Sequence, residues 1–148
     1  MALDKNILKL EMRSFVDKEF TSFDGFPSSL EESREAMAEA VYQYARTVTP
    51  ETTTAEIAKE AMISSLGDMS KDNQIIAFSQ FATTLASGME GFTATPPQSP
   101  IVLDSVAIIG LSGGSSESCM TELSNVVDAW MSTGIAVNNS TGVTINWS

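Results

Sequence analysis

The stretch NQIIAFSQFATTLASGM, residues 73 to 89, runs for 17 positions without a charged side chain and ends at Gly88, just ahead of a proline-rich segment. Ile75, Phe78, Ala82, Leu85 and Met89 recur at intervals of three and four, with Ile76 and Phe81 widening the seam. That period lines one side of an α-helix. The lack of charge elsewhere predicts that this helix is buried on two sides, with the rest of the chain packed around it.

The same stretch divides the chain by charge. All eight basic residues, from Lys5 to Lys71, precede it, and the 76 residues from Asn73 onward hold none. The charged side chains there are five acids: Glu90, Asp104, Glu117, Glu122 and Asp128. An ordinary soluble chain is about a quarter charged. A surface this poor in charge is of the kind that neighbouring subunits cover, the alternative being a solvated Ser/Thr/Asn surface.

With 148 residues the chain is expected to form one domain, burying roughly two thirds of the surface its unfolded form exposes. Three portions are expected within it: a charged helical bundle over 1–92, a Pro-rich joint over 93–100 and a charge-poor, assembly-facing portion over 101–148. The net charge of −11 disfavours direct binding to nucleic acid or to an anionic membrane surface. The first residues, MALDKNILKLEMR, mix charge where a secretory leader needs an apolar core, and no apolar run reaches spanning length, so a protein kept off membranes is expected. A lone Cys119 closes no internal disulfide and makes no cysteine zinc site, which fits a reducing compartment.

Ahead of the central stretch the periodicity is helical. Leu8, Met12, Phe15, Val16 and Phe20 share a face of a helix within residues 3 to 20, and Phe20, Phe23 and Phe26 then flank an Asp24-Gly25 turn closed by Pro27. Ser29 with Glu32 forms a capping box for a helix running to about Thr47, with Leu30, Met37, Val41, Tyr44 and Val48 on its apolar face. Thr53 with Glu56 predicts a second box and a helix lined by Ala55, Ala58, Met62, Leu66 and Met69. Gly67 should end it, so that this helix and the central one form an antiparallel hairpin.

Behind the central stretch, TATPPQSP must be extended, because its prolines remove donors and restrict the residues before them. Ile101 to Leu111 suits either a short strand or a short helix opening near Asp104. A helix from about Ser116 aligns Cys119, Leu123, Val126, Val127 and Trp130 and ends at Gly134. The two β-rich runs around Asn138 to Gly142 predict a terminal hairpin that packs on the helices or adds to a partner's strand. The expected fold is therefore mainly α, an antiparallel bundle of about five helices with a short C-terminal β-hairpin.

No motif carries chemistry through. Gly110-Leu111-Ser112-Gly113-Gly114 matches the nucleophile elbow, but the chain has no histidine to take the serine proton and its basic residues all fall in the earlier half. Asp68, Ser70 and Asp72 alternate like the start of a calcium loop, yet Asn73 stands where its glycine belongs and Ser79 where its bidentate glutamate belongs. Gly113-Gly114 lacks the lysine of a phosphate loop. An enzyme is not expected, nor a cofactor or a metal.

Three segments, AEAVYQYARTVTP (Ala38 to Pro50), FATTLASGMEGFTATPPQSPI (Phe81 to Ile101) and AWMSTGIAVNN (Ala129 to Asn139), resemble in their order a type of small virion structural protein of tailed bacteriophages. The resemblance implies a subunit assembled in many copies at the head, neck, tail or baseplate, made in the host cytoplasm, with copies of itself and other virion proteins as partners. Candidate assembly contacts in the charge-poor portion are Ile101, Val102, Trp130, Ile135, Val137, Val143, Ile145 and Trp147. The competing expectation is an acidic monomeric adaptor or inhibitor that binds another protein.

Overall fold

A computed structural model describes residues 2–16 and 29–148, and the predicted Phe20/Phe23/Phe26 turn lies outside them. The protein is mainly helical, with α1 (Lys5–Val16), α2 (Leu30–Ala45), α3 (Ala55–Leu66), α4 (Lys71–Ser87), α5 (Asp104–Leu111) and α6 (Ser116–Met131). Three short strands, β1 (Phe92–Thr95), β2 (Ile135–Asn138) and β3 (Thr144–Asn146), complete it. The ambiguous run after Pro100 is thus a helix, which brings the described helices to six.

Caps set most helix starts. Ser29 accepts from the amide of Glu32 at 3.1 Å as the capping box requires, and Ser70 and Ser115 cap α4 and α6 in the same way. Such a cap contributes about 1 kcal/mol over alanine. The Thr53–Glu56 box does not form: α3 starts one residue later, at Ala55 behind Thr54, with no side-chain cap. The threonine hydroxyls are engaged elsewhere. Thr52 Oγ1 donates to the Leu85 carbonyl at 2.7 Å and Thr54 Oγ1 to the Thr84 carbonyl at 2.6 Å, satisfying acceptors that the last turn of α4 leaves open. These bonds join the start of α3 to the end of α4, so the pair is antiparallel. Gly88 is required at the crossing, since a Cβ there would lie 2.3 Å from Thr54 Oγ1.

Helix α4 buries Ala77, Phe78, Phe81, Ala82 and Leu85 against its neighbours, with Met89 just beyond it. Burial on both sides is not found. Ile76 is 51% exposed, and Gln80, Thr83 and Ser87 continue the same outer face, which is uncharged but open. Its packing partner α3 supplies Ala58, Met62 and Leu66, all fully buried. Alanines on both helices allow that close approach.

The later portion completes this core rather than standing apart from it. Helix α6 packs on α1, and Val127, Met131, Ala136, Ile101 and Trp147 join Leu8, Tyr44, Phe78 and Phe81 in one cluster. Tyr44 Oη donates to Asp128 Oδ1 at 2.7 Å and ties α2 to α6. Burial, followed by that bond to the aspartate, pushes the phenol far above its ordinary range. The proline joint is held as well, because Trp130 Nε1 donates to the Ser99 carbonyl at 2.7 Å.

The sheet has the order β1-β2-β3, antiparallel throughout. The predicted hairpin is β2 and β3, but β2 pairs on its other side with β1, with Phe92 opposite Asn138 and Thr95 opposite Ile135. The strand available for pairing therefore comes from this chain's own joint region. Beyond β3, Thr49 and Ser148 exchange two backbone bonds of 2.7 and 3.0 Å, and Trp147 lies flat against Gly134. A Cβ at Gly134 would meet the indole at 2.4 Å, so only glycine admits the ring.

Candidate functional site

Helix α5 differs from the other helices in what its side chains touch. Its sequence, DSVAIIGL, is apolar at five of eight positions, yet none of its residues is buried. Ile108 is 62% exposed and Leu111 89%, and Val102 just before the helix is 64% exposed. A helix apolar on all sides normally lies inside a protein. This one leans on α6 and is tied at its first turn by the Lys71–Asp104 ion pair and by Ser105 Oγ donating to Glu122 Oε1 at 3.2 Å. Exposed ion pairs of this kind contribute about 0–1 kcal/mol. The far end, towards Leu111, has only its own helix termination.

Beneath α5 lies an open cleft of about 350 Å³. Met12 from α1, Met37 from α2, Met69 from the α3–α4 turn and Met120 from α6 converge on it. Leu103, Val106 and Ala107 form the α5 side, and Leu123 closes the floor. Lys71 and Gln74, both in the first turns of α4, are its polar lining. Four unbranched thioethers make a wall that can reshape around an occupant.

The turn that carries Met69 is built tightly. Met69 has a φ of +60°, the left-handed region that a non-glycine residue enters at a cost of order 1–3 kcal/mol. Gln74 Nε2 donates to the Met69 carbonyl at 2.8 Å and Arg34 Nη1 to the Gly67 carbonyl at 2.6 Å, holding the turn from both sides. Asp68 Oδ1 accepts from the Ser70 amide and from Asn73 Nδ2, bonds that hold its carboxylate below the usual range. In the Asp68/Ser70/Asp72 pattern, the Asp68 carboxylate braces this turn and the Ser70 hydroxyl caps α4 by accepting from the Asn73 amide.

The sequence-derived assembly contacts separate into two sets. Ile101 and Trp147 are 1% exposed and Trp130 is buried edge-on to Phe78, with ring centroids 6.3 Å apart, so these three side chains fill the chain's own core. Large apolar residues can serve either role, and here the indole N–H groups find carbonyls of the same chain, Trp130 Nε1 donating to Ser99 and Trp147 Nε1 to Ile135 at 3.1 Å. Val102 and Val143 are exposed, while Ile135, Val137 and Ile145 are half-buried in the sheet. Pairing of Ala136 with Ile145 puts Ile145 on the inward face and Ile135 and Val137 on the outward one. Ile108, Leu111 and the methionine cleft were not among the expected contacts. The signal for the first two was present in DSVAIIGL, whose apolar residues form no single stripe.

Ser112, the central residue of the elbow-like motif, sits at the end of α5 between two helices, and its hydroxyl donates to the Ile108 carbonyl at 2.8 Å. That is a helix terminus, not a strand-to-helix elbow. Among the described residues no helix is long and apolar enough to cross a membrane. Comparison with protein-family models, curated proteins and solved structures finds no match to this chain.

Proposed function

We propose that this protein is a structural subunit of a tailed-phage particle, acting through contacts with copies of itself and with other virion proteins and not through catalysis. The observation that carries the proposal is α5, the most apolar of the described helices and one with no fully buried residue, only Val106 packing partly against the core. Charge supports the same surface. In a chain of net charge −11, two copies repel wherever acids meet, and the segment from Val102 to Ser115 bears one acid, Asp104, already paired with Lys71. The outward face of the sheet, with Thr93, Thr95, Ile135, Val137 and Thr144, is likewise free of charge. The resemblance to virion proteins supplies the particle.

Size-exclusion chromatography with light scattering over a concentration series tests this. The full chain is expected to associate at micromolar concentration, and the double variant Ile108→Ser, Leu111→Ser to run as a monomer with unchanged helicity. A wild-type monomer at every concentration would favour the alternative, an acidic adaptor presenting the exposed Glu31, Glu35, Glu56 and Glu60 of α2 and α3 to a basic partner.

A further inference from the structure

We propose that the methionine-lined cleft beneath α5 binds a single-chain carboxylate amphiphile, a medium-length fatty acid whose chain lies among the methionines and whose carboxylate meets Lys71. At about 350 Å³ the cleft falls at the small end of the range for ligand sites, about 300–1,000 Å³. Its lining decides the ligand's chemistry. Met12, Met37, Met69 and Met120 offer no hydrogen bond to a polar core and no aromatic ring for a planar ligand to stack on, so they suit a slim, flexible hydrocarbon. Among the described residues, the polar lining is Lys71 and Gln74 at the start of α4, where the ammonium and the helix's positive end both favour an anionic head. Asp104 pairs with Lys71 but does not line the cleft, so a ligand carboxylate competes with it for the ammonium from the inner side.

Two further features point to an occupant. The inner side of α5, Val106 and Ala107, faces this space, so α5 adds to the partial apolar contact of Val106 when the cleft is filled. Met69 reaches the cleft from a left-handed backbone that Gln74 holds in place, and conformations of that kind concentrate at binding sites. The site is separate from the assembly face proposed above, which uses the outward side chains of the same helix.

Isothermal titration with dodecanoate, dodecanol and dodecyltrimethylammonium, each below its micellar concentration, tests the proposal on the full chain. Dodecanoate is expected to bind saturably at one per chain. Ala107→Trp, which fills the cleft from α5, should weaken it about tenfold or more, and Lys71→Met should weaken dodecanoate by about tenfold while leaving dodecanol unchanged. Circular dichroism establishes that both variants are folded. Ile108→Ser with Leu111→Ser should leave dodecanoate binding as in the wild type, so that loss of assembly and loss of this site are told apart. Non-saturable uptake, unchanged affinity in Ala107→Trp, or equal binding of dodecanol and dodecanoate would overturn the proposal. So would dissociation of an oligomer by Ala107→Trp, which would make a second copy the occupant. Free fatty acid is the source: phosphatidylglycerol vesicles should not co-sediment with the protein, and co-sedimentation that Ala107→Trp abolishes would contradict this.

Discussion

Helices α4 and α5 are both apolar, and they end in opposite situations. The first buries five side chains between α3 and the rest of the core, while the second, more uniformly apolar, buries none. The difference lies in their neighbours and not in their hydrophobicity. Helix α4 meets a complementary surface of Ala58, Met62 and Leu66 on α3 and has its last turn bonded to Thr52 and Thr54. Helix α5 is followed by a Gly/Ser turn, leans on α6 and has a cleft beneath it. One helix is completed by its own chain, and the other keeps Ile108 and Leu111 exposed.

The largest consequence should follow from Phe78→Ala in α4. It removes a fully buried ring that also meets Trp130, and about 3–5 kcal/mol of stability should be lost in denaturant unfolding. A loss below about 1 kcal/mol would erase the contrast between the two helices. Gly134→Ala comes next, at about 1–3 kcal/mol, because its methyl group meets the Trp147 indole and displaces the chain end from the core.

Tyr44→Phe should cost about 1–3 kcal/mol by leaving Asp128 without its phenol partner. It should also change the alkaline limb of the stability profile. The Tyr44 pKa is raised in the folded state, so its contribution is complete below the unfolded tyrosine value of about 10 and is lost as pH rises above it. Urea titrations from pH 8 to 11 should show a decline in the wild type that Tyr44→Phe reduces; identical slopes would remove Tyr44 from the account. The smallest effect is expected in α5, where Ile108→Ser with Leu111→Ser should alter monomer stability by no more than about 0.5 kcal/mol.

The same two helices show what a sequence reveals. The seam of α4 was legible from its period, and Ser29 with Glu32 from the capping pattern, because both depend on residues close in sequence. Its outer face was not, since absence of charge on Ile76, Gln80 and Thr83 is compatible with either burial or open solvent. The Thr53 box failed for a tertiary reason: its neighbours Thr52 and Thr54 bond to α4, and the helix start moves by one residue. Strand β1 was readable as extended chain but not as a partner for β2, which lies 40 residues on in sequence. Ile101, Trp130 and Trp147 looked available for contact because hydrophobicity in a charge-poor portion does not say which way a side chain turns. The cleft was hidden for the same reason, being assembled from four methionines on four separate segments.

Amide hydrogen exchange followed residue by residue at several protein concentrations tests the central claim, that α5 awaits a partner chain. In dilute solution the amides of Asp104 to Leu111 should exchange far faster than those of Ala77 to Leu85. As concentration rises through the association range, protection should grow in α5 and stay constant in α4. Protection in α5 equal to that of α4 in the dilute monomer would contradict the account, as would an α5 whose exchange ignores concentration while the protein associates.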